Sequence, residues 1–200
     1  VVLVSFSGTP LISDPGYQLV LDARAAGFTI VTIPGPCASV AALTLAGLPT
    51  DRFLFAGFLP AKAGARAAAI AELGAVRATL VFYESGGRTA ATLAEMAKLL
   101  GNRPAAVARE ISKRFEETVD GSLEALAARY ADTPPRGEVV IVVGPPGEAA
   151  VVDEATLDTA LQRAMAVQPM KPAVAEVVEL LGLRRNRVYA RALELRDAGD

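Results

Sequence analysis

Four apolar residues, Val1–Val4, give way to a turn of small residues, Ser7-Gly8-Thr9-Pro10, and then to Asp14-Pro15-Gly16. The apolar run reads as a buried strand. The turn lifts the backbone out of the sheet, and Asp14 is a candidate N-cap with Pro15 at the first helical position. Strand, glycine turn and helix start, in that order, constrain the fold more than any other stretch. They place unpaired N–H groups at the carboxyl edge of a sheet, where open α/β proteins hold small ligands. An ordinary βα connection has the same local pattern. Phe28–Ile33 (FTIVTI) reads as a second buried strand, followed by PGPCAS and an Ala/Leu helix from about Ala38 to Ala46. Two βα units in succession argue for a parallel sheet. A core strand at position 1 would lie beside earlier strands, so the chain reads as cut at its N-terminus.

The stretch 47–60 (GLPTDRFLFAGFLP) has no helix pattern and marks a domain boundary. Beyond it the spacing predicts an Ala-rich helix over 61–74, a strand over 79–83 ending at Glu84-Ser85-Gly86-Gly87-Arg88, and a helix over 89–100. A strand over 105–109 leads into the charged segment EISKRFEETVDGS, where Ser122 can cap a helix running through Tyr130 with Glu124 in its first turn. EVVIVV (138–143) is the last clear strand, and the mixed spacing suggests a partly antiparallel sheet. A linker and helix follow, then two short helices around a tight turn at Gly182. The expected organisation is therefore an α/β lobe over 1–48, a mixed α/β lobe over 49–147, and a linker with a basic helical tail over 148–200.

The chain has no histidine and one cysteine, Cys37. That excludes Ser-His-Asp and Cys-His triads, His-ligated zinc, a histidine base and any multi-thiolate metal site. No metal ligand set is expected. One cysteine fits a reducing cytosol, and no apolar run is long enough to span a bilayer, so no membrane partner is expected. The net charge of −2 means that nucleic-acid contact must come from local patches. One such patch is Arg184, Arg185, Arg187 and Arg191, either a solvated helix face or a contact for phosphate backbone.

SGTPLISDPG, PGPCASVAAL, GLPTDRFLFAGFLPAK, LVFYES, ARE-I-SK-RFEE and VYARAL occur in that order. Together they resemble the tetrapyrrole-methylase superfamily, and within it the branch that methylates a cytidine 2′-hydroxyl of 16S ribosomal RNA. The resemblance covers essentially the whole chain. It implies two α/β lobes with S-adenosylmethionine in the cleft between them, 16S rRNA in the small ribosomal subunit as partner, commonly a homodimer, and a further N-terminal strand and small-residue loop. A methylase acting on a tetrapyrrole or another small molecule is the alternative within the fold, and an inactive RNA-binding fragment the alternative outside it. Two positions depart from the pattern: Phe6 stands where the family usually has aspartate, and Gly86-Gly87 where it often has Pro-His.

Matched onto the family's motifs, Ser7, Gly8 and Thr9 would present backbone groups to the cofactor, with Ile12 as an apolar wall. Cys37 and Ala38 would approach the adenosine part, small residues permitting close backbone approach. Tyr83 and Ile111 would form the second wall. Arg88, Arg109 and Lys113, with Arg184, Arg185 and Arg187 of the tail, are candidates for rRNA phosphate contact. Glu84 and Glu110 are candidates for orienting the ribose hydroxyl. The structural alternative is one ion-pair network joining Glu84, Arg88, Arg109 and Glu110.

Overall fold

A strand buried on both faces has no polar face to alternate, and Glu138–Val143 (EVVIVV) is such a run. In the computed structural model, which describes residues 1–5, 8–147, 154–181, 183 and 185–197, it sits at the centre of a five-stranded sheet. The strands are β1 (Phe53–Phe58), β2 (Thr79–Ser85), β3 (Pro104–Arg109), β4 (Glu117–Ser122) and β5 (Glu138–Val143), in the order β1-β2-β5-β3-β4. β1 pairs parallel to β2, and every other pairing is antiparallel. β1, β2 and β3 therefore all run the same way, and their carboxyl ends emerge at one edge together with the loop joining β3 to β4.

The helices are α1 (Tyr17–Ala25), α2 (Ala38–Leu45), α3 (Ala63–Glu72), α4 (Thr89–Leu100) and α5 (Leu123–Asp132), then α6 (Glu154–Val167), α7 (Met170–Leu181) and α8 (Arg185–Asp197). The chain divides into two compact units, Val1–Pro146 and Gly147–Asp200. In the first, Leu80, Phe82, Val107 and Ile141 point to one face and pack with Ile70 of α3, Leu93 and Met96 of α4 and Leu126 of α5. Alternate residues Val81, Ala106, Ala108, Val140 and Val142 point to the other face, against Ala42, Leu43 and Ala46 on and just beyond α2. Ser122 caps α5 by accepting the Ala125 N–H at 3.3 Å, as its sequence predicts.

In the second unit, Leu157 and Leu161 of α6, Val174 and Val177 of α7, and Val188 and Ala192 of α8 form a separate core. Asp158 on α6 grips Arg191 on α8 with two bonds of 2.7 Å, and that hydrogen bonding holds the Asp158 carboxyl below the usual range. No helix among the described residues is long and apolar enough to cross a membrane.

Three expectations need correction. Val1–Val4 and Phe28–Ile33 form no strand, and Val2, Val4, Phe28, Val31 and Ile33 are exposed. A strand needs a hydrogen-bonding neighbour, and neither run pairs with a strand of the sheet. α1 begins at Tyr17 behind Gly16 at φ 130° with no side-chain cap, because Leu11 and Ser13 at φ 71° and 55° keep the chain turning past Asp14 and Pro15. Finally, the sequence leaves 53–58 and 117–122 outside the sheet, whereas they form β1 and β4. β4 is polar (ETVDGS) and holds its place by register with β3.

Candidate functional site

The two small-residue turns meet. Thr9 Oγ1 donates to the Pro36 carbonyl at 2.9 Å. A Cβ on Gly8 would lie 3.6 Å from that same oxygen, and Gly8 has φ +77°, which favours glycine. The 8–16 loop also reaches the end of β1: a Cβ on Gly57 (φ +65°) would stand 3.2 Å from Ser13 Oγ. Gly57 is where the β1–β2 register shifts, so a bulge aims the end of β1 at this loop.

The second turn is anchored on β2. The Ser39 N–H, in the first turn of α2, donates to Tyr83 Oη at 3.2 Å. The Tyr83 ring lies edge-on to Phe55 at 4.8 Å and tilted on Phe58 at 5.5 Å. Burial works against ionisation of the Cys37 thiol, but the Ser39 hydroxyl at 3.1 Å, the amides of Val40 and Ser39 and the Tyr83 hydroxyl outweigh it. The thiol therefore titrates below its ordinary value. Ile111 packs on the same side of the sheet as Tyr83. Its neighbours Glu110 and Ser112 have φ 51° and 62°, a conformation side chains resist and one that clusters at functional loops.

The structure thus brings Gly8, Thr9, Cys37, Ala38, Tyr83 and Ile111 to the α2 face and its open edge. Ile12 is exposed on the 8–16 loop, and its N–H donates to the Thr9 carbonyl at 3.4 Å. Ser7 and Phe6 lie outside the described residues. Sequence reasoning missed Ser13, Ser39, Phe55 and Phe58. The aromatic alternation in FLFAGF was the available signal for the last two.

The polar candidates fall in different places. Glu84, next to Tyr83, points the opposite way and is 1% exposed. It accepts from Thr92 Oγ1 at 2.8 Å and the Ser85 N–H at 2.8 Å, and pairs with Arg88 at 3.2 Å. Arg88 also donates to the Leu59 and Pro60 carbonyls, each at 3.1 Å. Gly86 completes this corner: its N–H donates to Gly137 at 2.7 Å, and a Cβ there would lie 1.8 Å from the Pro135 oxygen.

The single network of Glu84, Arg88, Arg109 and Glu110 is not formed. Alternation puts Arg109 opposite Glu117, bonded at 2.6 Å, and Glu110 pairs with Lys113 at 3.0 Å. Glu110 and Lys113 keep side-chain exposures of 32% and 62%, so both remain reachable at the edge. In the second unit Arg185 and Arg187 lie exposed in the first turn of α8, Arg191 is held by Asp158, and Arg184 lies outside the described residues.

Comparison with known proteins identifies the family. Residues 1–127 match the family of Tetrapyrrole (Corrin/Porphyrin) Methylases, and residues 151–196 match the RsmI C-terminal HTH domain. The chain is 48% identical over 200 residues to Ribosomal RNA small subunit methyltransferase I of Mesorhizobium japonicum, covering 98% of this chain and 67% of that protein. It is 51% identical over 179 residues to the protein of the same name in Erythrobacter litoralis, covering 88% and 63%. The chain thus spans about two thirds of the length of these relatives. The crystal structure of the methyltransferase CobJ shares the fold, with a TM-score of 0.52 at 20% identity, covering 69% of this chain and 62% of that one.

Proposed function

The chain belongs to the tetrapyrrole methylase family, and from that premise we propose that it transfers a methyl group from S-adenosylmethionine to the ribose 2′-hydroxyl of a cytidine in 16S rRNA. The observation that carries this is the meeting of two glycine-bearing turns, Thr9 bonded to Pro36, with the second turn anchored on Tyr83 through Ser39. Gly8 at φ +77° leaves its backbone open to close approach, and Ile12 and Ile111 offer apolar surface, so the residues present fit a nucleoside carrying a sulfonium.

The cofactor supplies an activated methyl group, so little covalent chemistry is left to the protein. Gly8, Thr9, Cys37 and Ala38 hold one end of the slot in place, and Tyr83 with Ile111 shape its wall. Ser7 belongs to the same loop in this reading. A ribose hydroxyl is a weak nucleophile and gains from a proton acceptor. Glu84 has every oxygen engaged inside the fold, which leaves Glu110, oriented by Lys113, as the carboxylate for this task. Lys113 and the tail arginines Arg184, Arg185 and Arg187 meet rRNA phosphates. The lobes at 1–48 and 49–147, a homodimer and a cytoplasmic location complete the reading, and sedimentation of the full chain tests the dimer.

The experiment is calorimetry of the full chain with S-adenosylmethionine, followed by transfer of a labelled methyl group to small ribosomal subunits and, separately, to free tetrapyrroles. The expected result is heat of binding that Gly8→Val abolishes, and label on 16S rRNA. Unchanged heat in Gly8→Val overturns the slot, and label on tetrapyrrole alone overturns the RNA substrate.

A further inference from the structure

The loop between β3 and β4 carries an aromatic ring that the fold does not use. Phe115 is 66% exposed, and the Arg114 guanidinium lies over its ring 5.6 Å from the centroid. The loop is nonetheless built firmly. The Lys113 N–H donates to the Glu110 carbonyl at 2.9 Å, the Glu116 N–H to Lys113 at 3.2 Å, and the Ser112 N–H to the Glu116 carboxylate at 2.5 Å. An exposed aromatic ring on an ordered loop offers a flat apolar face to a ligand. At its base the loop rises from the rim of a groove lined by Arg109, Glu117, Arg129, Tyr130, Asp132 and Arg136, since Arg109 and Glu117 are register partners at the end of β3 and the start of β4. Arg109 and Arg129 share Glu117, at 2.6 and 3.4 Å, whereas Arg136 makes no ion pair among the described residues.

An exposed ring with a guanidinium over it, beside a groove that carries three arginines, is the chemistry that receives unpaired nucleotides. The base stacks on the aromatic face, and guanidiniums take the phosphates on either side. We infer that Phe115 is a stacking platform for a base of single-stranded RNA, whose backbone continues past Arg114 toward Arg136 in the groove. This rests on the rRNA reading and adds to it a site for a nucleotide flanking the target. The same loop supplies Ile111 to the cofactor face and Glu110 to the edge, so a stacked base would fix the strand relative to both. A protein partner covering Phe115 is the competing occupant; the Arg114 guanidinium over the ring and the Arg136 guanidinium, which makes no ion pair among the described residues, favour RNA.

The chain contains no tryptophan, so Phe115→Trp places a single tryptophan, excited selectively over the tyrosines, at the site. Full-length Phe115→Trp is titrated with oligocytidylate and with small-subunit RNA, alongside wild type, Phe115→Ala and Arg136→Ala, with S-adenosylmethionine calorimetry as the check that each variant is folded. The expected result is quenching of the tryptophan on binding and affinity about tenfold weaker for Phe115→Ala. For Arg136→Ala the salt slope should fall by about 0.7. Wild-type RNA binding with Phe115→Ala unchanged overturns the platform and leaves the methyltransferase reading standing. No RNA binding by wild type removes the rRNA reading and the platform with it. A defect confined to binding small-subunit proteins freed of RNA overturns the platform in favour of a protein partner.

Discussion

The two faces of the sheet differ in what covers them. One is closed by α3, α4 and α5, with Leu80, Phe82, Leu93, Met96, Leu123 and Ile141 excluded from solvent. The other meets the eight-residue α2 through small side chains, Ala42, Ala46, Ala106 and Ala108 among valines. Large interlocking side chains serve stability. Small ones let a helix end and two turns come close to the strand tips, leaving their backbone groups at an open edge. Adjacent residues on β2 show the division: Glu84 is consumed inside the closed face, and Tyr83 anchors the turn on the open one.

The largest effect should come from deleting closed-face volume. Ile141→Ala should cost about 4 kcal/mol in chemical denaturation, and Val142→Ala, one residue along β5 on the other face, about 2 kcal/mol. Equal costs would mean that the two faces share the load and that the contrast is only one of composition.

A sharper break comes at the carboxylates. Glu84→Ala leaves Arg88 and Thr92 without their shared acceptor and should cost about 3 kcal/mol, at the low end for a buried pair because Arg88 is part-exposed. Glu110→Gln, at the exposed edge, should change stability by less than about 0.5 kcal/mol and slow methyl transfer about a hundredfold. If Glu84→Gln proved stable and slow while Glu110→Gln proved fully active, the roles assigned to the two would be reversed.

These contrasts bear on what could be read beforehand. Thr89–Leu100 and Glu138–Val143 announce themselves because periodicity and burial agree, and Ser122 is legible because capping is local. Val1–Val4 carries the same apolar signal as β5 and forms no strand, since pairing is a long-range property that no window of sequence contains. β4 fails in the opposite direction, a polar segment made into a strand by its partner. At the site, the small-residue turns were readable as places of close backbone approach. That Ser13 faces Gly57, or that Ser39 meets Tyr83 across 44 positions, was not. Strand alternation alone would have sent Glu84 and Tyr83 to opposite faces, and it also separates Arg109 from the pair with Glu110.

The smallest effect tests the open face most directly. Tyr83→Phe keeps the ring on Phe55 and Phe58 and removes one oxygen. Ser39 is 3% exposed, so water does not readily replace the lost acceptor for its N–H, and about 1 kcal/mol of stability should go. The same hydroxyl is among the groups that lower the Cys37 thiol. Its loss should therefore move the pH profile of Cys37 alkylation upward, less thiolate being present at a given pH, while S-adenosylmethionine binds several-fold more weakly. An unmoved alkylation profile with unchanged affinity would show that the ring alone, and not its hydroxyl, positions the second turn.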